Sequence, residues 1–118
     1  MAIFVKTTNP QELVNNIKKQ IEDGKIDTWL CDKEGDFTHN TEQWRYHAWL
    51  RPVVESDRVV FGILGRKVKN VSVLDYAIFH GRFVEMLLNH FDKDCDDILV
   101  SPLATKFDTI QASNSEDK

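Results

Sequence analysis

The sequence predicts an α+β fold: a single domain with a mostly antiparallel β-sheet and two helices packed on one face, in the order β-α-β-β-β-β-α. Three observations lead there. Between residues 26 and 64, β-prone stretches follow one another with turn-like joins, the pattern of hairpins. After Asn9 and after Ser72, apolar residues recur at helical spacing. The length of 118 residues suits one domain with a core that needs no staples.

Ile3 to Lys6 are apolar and β-prone and predict the first strand. Asn9-Pro10-Gln11-Glu12 then reads as a helix start: Asn9 caps, Pro10 suits the first helical position and Glu12 sits where a capping box needs it. Leu13, Val14, Ile17 and Ile21 form the apolar face of this helix, and Gly24 ends it as a left-handed cap. Ile26 to Cys31 predict a strand, Asp32 to Gly35 a turn, and Asp36 to Thr38 the returning strand.

Residues Thr41 to His47 read equally as a helical turn or as a continued strand. Ala48 to Val54 and Arg58 to Leu64 make the clearest hairpin, joined by Glu55-Ser56-Asp57. Pro52 cannot donate to a ladder, which predicts an edge or a bulge there. Ser72-Val73-Leu74-Asp75 is a capping box opening a second helix that runs from about Val73 to Phe91. Its apolar set is Val73, Tyr76, Ala77, Phe83, Val84, Leu87, Leu88 and Phe91, and this face is expected to supply most of the core. A short strand at Ile98 to Val100 follows. The domain is expected to span residues 1–110, with Gln111 to Lys118 as a disordered polar tail.

Composition narrows the function. The formal net charge is −4, which counts against a general binder of phosphate backbones and makes nucleic acid an improbable partner. The N-terminal stretch does not read as a signal peptide, and no apolar run approaches a membrane span. A cytoplasmic protein is expected, with Cys31 and Cys95 as free thiols. Their spacing makes no zinc motif.

Two acidic stretches resemble calcium loops only in part. In Asp92 to Asp97 the glycine position holds Asp97 and the final ligand position holds Leu103; counted from Asp32, the final position holds Gln43. No metal and no cofactor is expected. Neither a nucleophile elbow nor a phosphate-binding glycine loop is present.

The residues that can carry chemistry concentrate in Thr38 to Pro52. If Ala48 to Val54 is a strand, Trp49, Arg51 and Val53 share one face. Arginine beside an aromatic ring suits recognition of planar or anionic groups, so Arg45, His47, Trp49 and Arg51 are the expected binding residues. The plainer reading makes the tryptophans core, with the arginine lying across them. His39, His47 and His80 are the candidates for acid–base catalysis. His80 falls amid apolar helix positions and reads either as a pocket residue or as a hydrogen-bonded core histidine. Gly81 beside it predicts something pressed closely against the helix.

The leading expectation is therefore a non-enzymatic binding or regulatory module acting through contacts with another protein, with self-association left open. The alternatives are a small metal-independent hydrolase or ribonuclease using His and Arg groups, and a small-ligand binder with its pocket beside His80. Spatial convergence separates them: a catalytic site brings two of the three histidines into one cleft with an arginine.

Overall fold

The computed structural model describes residues 1–111, and the expected tail beyond Gln111 lies outside the described residues. The elements are β1 (Ile3–Lys6), α1 (Pro10–Glu22), β2 (Trp29–Cys31), β3 (Phe37–His39), β4 (Ala48–Val54), β5 (Arg58–Gly65), α2 (Val73–His90) and β6 (Asp97–Val100). The named strands form one antiparallel sheet in the order β2-β3-β4-β5-β1-β6. The fold is thus the expected α+β domain, with β6 added as an edge strand.

Alternation sorts the side chains. Register pairs Ile3 with Phe61, Leu50 with Ile63 and Phe37 with Leu50, so these residues share one face. Leu13, Val14 and Ile17 of α1 join them in the same core, as do Phe79, Phe83 and Leu87 of α2. Both helices therefore cover this one face. At its centre, the Phe83 ring packs on Phe61 at 4.7 Å, Trp29 at 5.0 Å and Phe37 at 5.8 Å, tying α2 to three strands.

Local chemistry explains most element ends. Gly24 (φ 77°) stops α1 and Gly35 (φ 88°) closes the β2–β3 turn, both in the left-handed region that glycine enters freely. Ser72 and Asp75 form the full capping box of α2. At α1 the expected cap differs: Asn9 makes no side-chain bond, and its carbonyl instead accepts from Leu13 N at 3.0 Å. Pro52 lies inside the sheet order, yet β3 pairs with β4 only at Phe37–Leu50. The chain is therefore locally an edge at Pro52, which satisfies its missing donor.

Residues 41–47 are neither strand nor helix. They form consecutive turns, with Trp44 N and Arg45 N donating to Thr41 O and His47 N to Trp44 O. Tyr46 takes φ 65°, unusual for a bulky residue, and is held there by its N–H donating to Thr38 Oγ1 at 3.1 Å.

Two features of the helices and the sheet depart from expectation. The buried stripe of α2 is Asp75, Phe79, His80, Phe83, Met86 and Leu87. Val73, Leu74 and Leu88 are 68%, 60% and 58% exposed, and Ala77 is exposed too. The expected set mixed two faces, because α2 is apolar on both. Gly81 is also exposed, and none of the described residues comes within 4 Å of where a Cβ would stand, so none of them presses on it. Close approach occurs instead at Gly62, on the opposite face of the sheet. A Cβ there would lie 2.0 Å from Phe107 O. The 105–110 segment straps this face: Thr109 bridges to Leu64, and Asp108 Oδ1 accepts from Ile63 N at 2.9 Å.

These contacts set opposite expectations for two glycines. At low protein concentration Gly81→Ala raises the stability by about 0.5–1 kcal/mol, as in an exposed helix interior. Gly62→Ala displaces the strap and lowers the denaturant midpoint clearly. Chemical denaturation of the two variants beside the wild type checks both, and equal effects would contradict the placement of the strap.

Candidate functional site

The residues expected to bind do not form one open surface. Trp49 is only 7% exposed, and the Tyr46 ring stacks on it at 6.4 Å. Arg51 is partly exposed, but its Nε and Nη2 donate to Asp36 Oδ1 and Oδ2 at 3.0 and 2.9 Å. Asp36 is 1% exposed, so the pair neutralises a buried carboxylate. Arg45 is exposed and donates from Nε to Asn40 Oδ1 at 2.7 Å. His47 is half-buried against the Trp44 ring at 5.8 Å. Leu50 points inward, and Trp44 packs partly buried against the core.

His80 lies among backbone carbonyls. Its Nδ1 meets Tyr76 O at 2.6 Å and its Nε2 meets Met1 O. Both ring nitrogens thus face backbone carbonyls, and neither is left over for a ligand. Burial pushes its pKa down, against the pull of those two carbonyls.

His39 is different. It ends β3, on the helix-covered face, where its ring packs on Trp29 at 4.9 Å. Its Nδ1 lies 2.9 Å from Thr28 O, so Nδ1 carries the proton and donates, and Nε2 is the bare acceptor of a neutral ring. The residue is 6% exposed, yet among the described residues no partner meets Nε2. Every fully enclosed side-chain nitrogen or oxygen among the described residues has a partner. Nε2 must therefore reach solvent, and the void that His39 lines is a cleft of about 540 Å³.

That cleft lies between the C-terminal half of α2 and the Lys25–Trp29 segment, with Thr41, Gln43 and Trp44 closing one end. Ile26, Trp29 and Met86 give it apolar walls, while Lys25, Arg82, Asp27 and Glu85 bring both signs of charge. Arg82 Nη1 and Glu85 Oε2 stand 3.4 Å apart on the exposed helix surface. His90, absent from the expected candidates, also lines the cleft. Of the three expected catalytic histidines only His39 lines it. Burial, more than any charge, lowers the His39 pKa; the Thr28 hydrogen bond raises it, Arg82 lowers it and Glu85 raises it.

The acidic turn shows a separate arrangement. Asp32, Glu34 and Asp36 bring carboxylate oxygens within 4.8 Å of one another. Asp32 Oδ1 accepts from Glu34 N and Asp36 N, both at 3.0 Å, and Asp36 holds Arg51. The turn's own hydrogen bonding accounts for the cluster.

Both cysteines are free thiols in the structure. Burial, reinforced by Asp94, Asp96 and Asp92, pushes Cys95 up to about 11, and burial also raises Cys31. Compared with protein-family models, with curated proteins and with solved structures, the chain matches none. Among the described residues no helix is long and apolar enough to cross a membrane.

Two measurements follow from these groups. The unfolded chain takes up protons near the ordinary histidine value of 6.5, whereas folded His39 and His80 take them up only at lower pH. Stability therefore falls as pH drops below about 6.5, and above it the two groups make no further difference. Melting curves from pH 8 to 5 test this; His39→Gln should flatten the slope in part. For the thiols, alkylation of the native protein at pH 7.5 is expected to be slow at both cysteines and fast after denaturation. Rapid native labelling of Cys95 would contradict its placement.

Proposed function

We propose that the protein is a non-enzymatic binding module, that its recognition site is the His39 cleft, and that its ligand is a segment of another protein. The observation that carries this is the His39 imidazole: nine-tenths buried, fixed in one tautomer, lining a cleft, with an Nε2 that no described residue meets. A fixed neutral acceptor at the base of a cleft selects a ligand that donates a hydrogen bond, such as a peptide N–H or a side-chain amide. Leaving it unpaired in a complex is costly, so it discriminates as well as binds. The volume lies within the usual range of ligand sites. Charges of both signs around apolar walls match a peptide better than a phosphate or a polyanion, in keeping with the net charge of −4. Two cysteines with no disulfide between them support a cytoplasmic setting for the module.

A second reading has one observation in its favour. His39, His90 and Arg82 line the same cleft, as a hydrolase or ribonuclease working by acid–base chemistry would require. His90 Nε2 stands 3.4 Å from Asn89 Nδ2, on the exposed side of the helix end.

Selection of a displayed random-peptide library on the purified protein tests the first reading. The selected peptides are expected to lose at least about tenfold in affinity on His39→Gln and on Glu85→Lys, the loss of one buried hydrogen bond or one charge pair. Both variants must keep the wild-type far-ultraviolet spectrum. Peptides whose affinity ignores both substitutions would remove the cleft as the site. Cleavage of a single-stranded RNA, lost in His39→Gln and His90→Gln alike, would replace this reading with the second.

A further inference from the structure

A helix that is apolar on both faces needs cover on both. The inner face of α2 has the core. Its outer face carries Leu74, Ala77, Gly81, Val84 and Leu88: Leu74 and Leu88 are 60% and 58% exposed, Ala77 and Gly81 are exposed, and Val84, at the edge of this face, is half-buried and also packs against the core. The steps of three, four, three and four residues run one straight seam along the helix, as in a coiled coil. We infer that this seam is the contact between two copies of the chain, with α2 packed antiparallel on α2 about a two-fold axis at Gly81.

Three features point to a second copy rather than another occupant. First, the seam is nearly its own mirror about Gly81. Leu74 precedes it by two turns and Leu88 follows by two, so an antiparallel pairing sets each Leu74 against Leu88 of the second copy. Ala77 then meets the Val84 layer, small against large. A two-fold contact requires a self-complementary patch of this kind. Second, Gly81 is costly in the middle of a helix and nothing among the described residues explains it, with none of them within 4 Å of where a Cβ would stand. On the axis, two bare glycines let the backbones approach, since interaxial distance follows the side chains at the contact. Third, the seam is flanked by Glu85 and Arg82, which pair with each other, rather than by the basic rim of a membrane-binding helix.

Area sets the strength. The seam from Leu74 to Leu88 is about 21 Å long and one helix, about 10 Å, wide. Its footprint falls well short of the roughly 800 Å² per partner of a standard interface. Val73, 68% exposed beside it, adds to the patch. A weak, concentration-dependent dimer follows.

Sedimentation velocity across a concentration series up to several hundred micromolar tests this. The wild type is expected to shift from monomer to dimer. Leu74→Lys and Leu88→Glu, each at an exposed position and checked for an unchanged melting temperature, are each expected to weaken association at least tenfold. Together in one chain they restore it, because the antiparallel register sets the introduced lysine against the introduced glutamate twice. A wild type that stays monomeric overturns the inference, as do single variants that associate normally. A double variant no better than the singles overturns the antiparallel two-fold register. The cleft variant His39→Gln leaves association unchanged, so this result and the peptide selection stand or fall separately.

Discussion

The Phe83 ring is the contact on which the rest of the structure hangs. Within about 6 Å it touches Phe61 in the middle of the sheet, Phe37 in β3 and Trp29 in β2. Aromatic pairs of this geometry add directional energy to a large buried area. Through Trp29 the same ring sets His39, which lies against the indole and against Phe79. The cleft is thus a by-product of how α2 seats on the aromatic cluster. Its walls come from elements that the core already fixes, which is the arrangement that keeps a recognition group in place without an added support.

Sheet and helices could be read from the sequence because each rests on local chemistry. The capping box at Ser72, the glycine stops at Gly24 and Gly35 and the Ala48–Gly65 hairpin all express short-range rules. The orientation of α2 could not be read with the same security. Val73, Ala77, Val84 and Leu88 are as apolar as the residues that face the core, so a helical wheel has two acceptable rotations. Phe79 and Met86, both buried, settle which is right. The strap at 105–110 was illegible for another reason. It carries no periodicity, and the space above Gly62 that receives it exists only once the sheet is built.

The candidate site was half legible. His39 was visible as a histidine beside a β-prone run, though its tautomer depends on Thr28 O, which reaches it only across the β2–β3 pairing. Arg82, Glu85, Asn89 and His90 recur at helical spacing on one side of α2, a signal present in the sequence but masked by the search for apolar periodicity. In the Thr38–Pro52 stretch the most conspicuous groups also have structural tasks. Arg51 neutralises Asp36, and Tyr46 roofs Trp49. Such pairings join residues from different strands or turns, and no local pattern announces them.

The position of β1 has a consequence for how the chain is made. Ile3 pairs with Phe61 on one side and with Val100 on the other, so an early segment becomes an interior strand between much later ones. On a ribosome that adds about 5–20 residues per second, β1 waits roughly 5–20 s for its second neighbour. Throughout that interval its apolar edge is a sticky end. Such long-range closure slows folding, and it delays completion of the sheet until β6 has been made.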